Sequence, residues 1–358
     1  MEAQEAKGKV RRYIFGFDAA DPERGAAELR EKGFDAVVLG GADAPTTRAL
    51  ERAGIELYLC YGAFGLGGAD EDPERWARDA AGRKRRWFGS GCPNDEALAQ
   101  ARLDAALERL RATPSARGLF VDGARFASFA STEGREAFFT CFCPRCTARM
   151  RALGFDPERL SGAAQALMRS RRAEEASLEA LGEWFAFRQA CMRAYFDRFA
   201  AAVHALPGNR LACGFVFAPS LGGFVGQTGE SVRALDVVAP MLYRAYPHAD
   251  GPACLGHEWE AAQALFDGRT LPRLAALAGV EKALVPAQGI EAQVGFPAAR
   301  VGEETAAARR ALRPGQALLP ILQIEDEHLA GTAAAAMEAG AAGYGMFMYG
   351  QAALPRVR

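Results

Sequence analysis

Lysine is scarce: Lys7, Lys9, Lys32, Lys84 and Lys282 are the only five in 358 residues. None ends a strand-like run, which argues against a Schiff-base aldolase. There is no P-loop and no G-x-S-x-G elbow, so two common routes to phosphate and acyl chemistry have no foothold. The first strand-to-helix turn reads FDAADPE and lacks the glycine fingerprint of a dinucleotide site, so no nucleotide cofactor is expected. No apolar run approaches the ~20 residues that span a bilayer. The N-terminal MEAQEAKGKVRR is polar and has no signal-like core. With a formal net charge of −1, neither nucleic acid nor a membrane surface is an expected partner. A cytoplasmic location is the resulting expectation. The one basic run, Arg83-Lys84-Arg85-Arg86, falls in a Gly- and Asp-rich loop and reads as a solvated stretch.

What is present is a chain half hydrophobic, ample for a large core. Strand, helix and Gly-terminated turn recur in order. YIFGFD, DAVVLGG, IELYLCYG, GLFVD, LACGFVF, LDVVAPMLY, LLPILQIE and GYGMFMY read as eight strands. Asp21-Pro22-Glu23 and Asp156-Pro157-Glu158 read as helix starts, with Asp as cap and Pro in the first turn. The stripe Trp184, Phe187, Cys191, Tyr195 and Phe199 reads as the packed face of a long helix. Residues 246–288 are hard to parse, and 283–290 could be a helix end or a ninth strand. Parallel strands joined by helical crossovers predict an α/β protein, a single (β/α)8 barrel over 1–358. Long loops follow strands 3, 4 and 6, and an insertion lies around 126–182.

In such a barrel the strand C-termini build the active site. Asp122 ends strand 4 and Glu325 ends strand 7, across the mouth. Two facing carboxyls are what glycosidic cleavage needs, one to protonate the leaving oxygen and one to attack or activate water. Gln323 and Glu325 share a strand face, which favours Glu325 over Asp326 as the mouth residue. Arg125, Tyr243 and Arg244 are candidates for holding substrate oxygens. Asp18 and Tyr349, at the ends of strands 1 and 8, are further binding candidates, although Asp18 also reads as a helix-start cap. Trp87 is a candidate stacking ring, with Tyr61, Phe64, Phe126, Tyr246 and Trp259 as weaker ones. His257 and Glu258 are alternative acid/base groups.

Eight cysteines in a chain this long do not make a disulfide scaffold. Cys141, Cys143 and Cys146 form C-x-C-x-x-C, whose C-x-x-C bites a tetrahedral ion. A structural Zn²⁺ needs a fourth ligand. Cys92, in the loop after strand 3, would emerge beside the loop after strand 4. Reduced thiols packing a small loop core, or an open catalytic metal, are the alternatives.

Four motifs in order resemble bacterial glycoside-hydrolase-like TIM-barrel proteins: GCPND, VDGARF, CFCPRC and W-x-x-F-R (Trp184, Phe187, Arg188). The resemblance is dense from Trp87 to Arg188 and thinner from Asp236 to Tyr349. It implies a barrel acting on carbohydrate, with Asp122 as the catalytic carboxylate. Strand 4 is also similar to the nucleophile strand of α-amylase-like barrels. Strand 5, however, ends in FAPS and offers no glutamate. That departure motivates a second reading, a non-hydrolytic carbohydrate-binding barrel. Either reading leaves room for a homo-oligomer.

Overall fold

The computed structural model describes residues 11–67, 72–130, 134–173, 175–245, 254–287, 289–291 and 294–357. Eight parallel strands follow one another around a closed sheet. They are β1 (Arg11–Phe15), β2 (Ala36–Leu39), β3 (Glu56–Gly62), β4 (Ala116–Asp122) and β5 (Leu211–Phe217). The ring continues with β6 (Val237–Met241), β7 (Ala317–Leu318 and Ile321–Gln323) and β8 (Gly343–Phe347). β8 pairs with β1, and β7 pairs with both β6 and β8, which closes the ring. This is the expected (β/α)8 barrel. Lys282–Leu284 is a short 3-10 turn, and 283–290 adds no ninth strand among the described residues. Pro240 sits inside β6 in register with Val216. Among the described residues a strand is interrupted only in β7, at Leu319-Pro320.

Local chemistry sets the crossovers. α1 (Pro22–Lys32) begins at Asp21, whose side chain accepts from the Arg24 N–H, and ends at the left-handed Gly33. α2 (Ala44–Ala53) repeats the device with Asp43 and Gly54. α3 (Glu96–Ala112) is capped by Asp95. Three helices follow β4: α4 (Pro144–Ala152), α5 (Pro157–Ser170), capped by Asp156, and the long α6 (Glu175–His204). The segment that resisted parsing holds α7 (Leu255–Leu265) and α8 (Thr270–Leu277). α7 buries Leu255, Gly256, Glu258, Trp259, Ala261, Ala262 and Leu265, and leaves only a narrow polar face at His257, Glu260 and Gln263, which makes the helix hard to read. α9 (Ala298–Ala311) and α10 (Leu329–Glu338) complete the ring. None of the described helices is long and apolar enough to cross a membrane.

Two cores result. Alternate strand residues fill the barrel, among them Tyr13, Val38, Tyr58, Cys60, Phe120, Cys213, Phe215, Ala239, Tyr243 and Ile321. Phe120 stacks on Phe215 with centroids 4.5 Å apart. The larger core lies between barrel and helices and runs on under the loops after β3 and β4. β4 and β5 approach closely at Gly118, where a Cβ would lie 2.4 Å from the Leu211 carbonyl oxygen. The basic run is neutralised locally. Arg83 and Arg85 each reach the buried Asp79 carboxylate at 3.0 Å, and Lys84 reaches Glu74 at 2.6 Å.

Candidate functional site

Strand parity places the carboxylates. Phe120 points into the barrel, so Asp122, two residues on, leaves the strand on the same inward face at the mouth. Asp122 is exposed at the end of β4, with protein packed around it. Burial pushes its carboxyl pKa up, against the Gly123 N–H, which donates to Oδ1 at 2.7 Å, and the nearby Arg125 charge. By the same parity Ile321 is followed by Gln323, where β7 ends, and Glu325 follows in the turn beyond it. Gln323 Nε2 donates to Glu325 Oε2 at 2.9 Å. Glu325 lines a cavity of about 700 Å³ with Arg244, Phe296, Gln323, Asp326 and His328. Asp122 is not part of that lining.

Arg125 is buried beneath the loop after β4. Its guanidinium lies 4.4 Å from the Phe217 ring centre and donates to the Phe126 carbonyl at 3.1 Å. Burial lowers its pKa, opposed by Glu258 and Asp122. Tyr243 is buried in the barrel with its ring 5.6 Å from Phe347. Arg244 is held by Asp326 through contacts of 2.6–3.0 Å and by the Phe296 carbonyl at 2.8 Å. Asp18 binds Arg24 at 2.6 Å and accepts from the Ala20 N–H, which holds its carboxyl below the usual range. Tyr349 turns its hydroxyl to Glu28 on α1, at 3.3 Å.

The aromatic expectations need correcting. Trp87 is 1% exposed and packed in the outer core, and Tyr61, Phe64, Phe126 and Trp259 are buried as well. Tyr246 lies outside the described residues. The neighbour of Trp87 is the open ring: Phe88 is 39% exposed, adopts φ 48°, and lies 5.5 Å from the Arg125 guanidinium. The W-F pair was visible in the sequence, but which ring turns outward depends on a left-handed residue that composition does not announce.

Glu258 also takes a different role. It is fully buried on α7 and reaches back to the loop after β4, accepting from Ser128 Oγ at 2.7 Å and from the Phe129 and Ala130 N–H groups at 2.9 and 3.0 Å. Burial raises its pKa, while these donors and Arg125 oppose the rise. It is a clasp on the loop that carries Arg125. His257, half-buried beside it, has its pKa lowered by burial.

The cysteines converge. Cys92, Cys141, Cys143 and Cys146 are buried, with all four sulfurs within 4.8 Å of one another. Cys92 Sγ lies 3.4 Å from Cys143, 3.5 Å from Cys146 and 3.7 Å from Cys141. Four sulfurs ~2.3 Å from a tetrahedral ion stand ~3.8 Å apart, so the set has the spacing of a metal site. Backbone and side-chain donors face it: the Arg78 N–H to Cys141, the Asn94 N–H to Cys92, and Asn94 Nδ2 to Cys146 at 3.2 Å. Hydrogen bonds from the other three thiols hold Cys143 below the ordinary thiol range, whereas burial pushes Cys146 up. All four ionise together only around a cation. The cluster ties the loop after β3 to the loop after β4. The eight cysteines are all free and all buried.

A thiol-clamped (β/α)8 barrel with carboxylates at its mouth is the class that fold and site define. Among solved structures, the same fold is found in several β-galactosidases. That of the Antarctic haloarchaeon Halorubrum lacusprofundi is 16% identical with a TM-score of 0.60, covering 95% of this chain and 52% of that one. That of the psychrophilic Marinomonas ef1 is 13% identical with a TM-score of 0.57, covering 96% and 54%. That of Bacillus circulans sp. alkalophilus is 15% identical with a TM-score of 0.50, covering 97% and 52%. This chain thus spans about half the length of these proteins. At such identity the likeness speaks for the fold alone. No protein-family model and no curated protein matches the sequence.

Proposed function

We propose that this barrel is a glycosidase that cleaves a glycosidic bond at its C-terminal mouth. Asp122 acts as nucleophile or base and Glu325 as acid/base, with the open face of Phe88 on the substrate side and Arg125 buried behind it. The observation that carries the reading is Asp122: an inward-facing carboxyl at the end of β4, open to solvent and raised in pKa by the protein around it. Acid/base carboxyls are tuned in this way. The fold shared with these β-galactosidases supports a carbohydrate substrate. In this reading the four cysteines hold a structural Zn²⁺. It would offset two of the four thiolate charges and fasten the two rim loops, while catalysis stays with the carboxylates.

The test is Asp122→Asn, assayed on a panel of chromogenic aryl glycosides. Turnover should be abolished while the circular dichroism spectrum and chain compactness stay native. Near-normal turnover in that variant would sink the assignment. A second reading, a carbohydrate-binding barrel without hydrolysis, is favoured by one observation: the cavity that Glu325 lines does not include Asp122. Oligosaccharide binding by the native chain, without turnover of any glycoside on the panel, decides for that reading.

A further inference from the structure

The W-x-x-F-R motif is absorbed by neither the barrel nor the carboxylates. Arg188 sits on α6 and is fully buried. Its donors reach only backbone carbonyls: Phe224 at 2.5 Å, Phe138, and Thr140, the residue before Cys141. Trp184 lies flat against it, with the guanidinium 3.9 Å from the ring centre, and Phe126 and Phe138 complete the box at 5.3 and 5.1 Å. No carboxylate among the described residues forms an ion pair with it, and Nε has no hydrogen-bond partner. A buried cation in an aromatic box costs several kcal/mol unless an anion offsets it. The Arg188 fork holds the carbonyl of Thr140, the residue before Cys141, and among the described residues Cys141 and Cys146 are the ionisable side chains whose charge reaches it.

We infer that Arg188 is the built-in counter-charge of a metal tetrathiolate at Cys92, Cys141, Cys143 and Cys146. The inference rests on the metal reading of that cluster. A divalent ion displaces four protons from four thiols and leaves a centre of net charge −2. The guanidinium brings the buried ensemble to −1, and the Arg78 and Asn94 donors spread the remainder over the sulfurs. The same planar fork holds the Phe138 and Thr140 carbonyls, so it also sets the path of the chain into Cys141. Arg188 is thus a positioning residue of the metal centre, and the motif Trp184-x-x-Phe187-Arg188 is its seat.

The experiment compares the full native chain with Arg188→Met, Arg188→Lys and Cys143→Ser. Each is stripped, reduced and reloaded with Zn²⁺. Metal per chain, competition against a chromophoric chelator, and the rise in melting temperature between stripped and loaded forms are measured. Native chain should take one ion. Arg188→Met should lose affinity at least tenfold and show a smaller metal-dependent rise, while Arg188→Lys stays within a few-fold of native. Native uptake with unchanged affinity in Arg188→Met overturns the role of Arg188 alone. So does a melting temperature that falls equally in stripped and loaded forms, the signature of a merely structural arginine. A native chain that takes up no metal overturns the metal reading and this inference together. If Arg188→Met yields no soluble protein, Arg188→Lys decides. A loss as large as that of Cys143→Ser means that charge is not what matters and refutes the proposal.

Discussion

Replacing Glu258 tests whether the loop after β4 is held by a buried carboxylate. Oε2 takes the N–H groups of Phe129 and Ala130, and Oε1 takes the Ser128 hydroxyl. Glu258→Ala removes the acceptor for all three. Ser128 can turn its hydroxyl elsewhere, but two buried N–H groups cannot, and each orphaned donor costs about 1–3 kcal/mol. Arg125 also loses an opposing charge. The expected loss is about 3–5 kcal/mol, much of a domain's ~5–15 kcal/mol stability. Glu258→Gln keeps one oxygen for the two N–H groups and offers its amide to Ser128, so it should cost about 2 kcal/mol or less. Urea unfolding of the three proteins measures both. Because burial raises the Glu258 pKa, the folded state holds that proton more tightly than the unfolded state. Its stabilising contribution is complete below the ordinary glutamate range and is lost as pH rises through the raised folded value. The advantage of native over Glu258→Gln should therefore be greatest in mild acid and shrink toward neutrality. A cost below about 1 kcal/mol for Glu258→Ala would refute the clasp. An advantage that grows with pH would show that the hydrogen bonds and Arg125 outweigh burial.

Gly118→Ala should destabilise by about 1–3 kcal/mol, because its methyl would meet the Leu211 carbonyl. Gly62→Ala, with no atom within 4 Å of the new carbon, is the control and should melt like native. Arg244→Met leaves the nearly buried Asp326 without its partner and should cost about 3–5 kcal/mol in denaturant unfolding. A cost under about 1 kcal/mol would mean that water reaches Asp326 freely. The thiol cluster and Glu258 pin two parts of one loop. Stripping metal from Glu258→Gln should therefore cost less than stripping it from the native chain, by about 0.5–3 kcal/mol in a four-species cycle. Strict additivity would mean that the two clamps hold independent pieces.

What the sequence disclosed divides along the range of the interactions involved. The eight strands and the Asp-capped, Gly-stopped helices are written in residues a few positions apart, and they were legible. The alternation that sets Gln323 on the face of Ile321 is local as well, whereas Glu325 lies in the turn beyond the strand. The thiol cluster was legible for another reason: cysteine is a rare residue with few uses. In a barrel the loops after adjacent strands must emerge side by side, which brings Cys92 to the trio. Glu258 and Arg188 were not legible in this way. Glu258 meets Ser128 across 130 positions, and Arg188 meets Thr140 across 48. In each case the partner is partly or wholly backbone, which leaves no mark in the sequence. An acid on a mostly apolar helix reads as a spare catalytic group. Trp87 and Phe88 differ for a related reason, since a single left-handed residue decides which ring stays inside. Strands and spaced cysteines fix where the mouth and the clamp lie. The buried charges that hold them become visible only when the question is which group offsets each one.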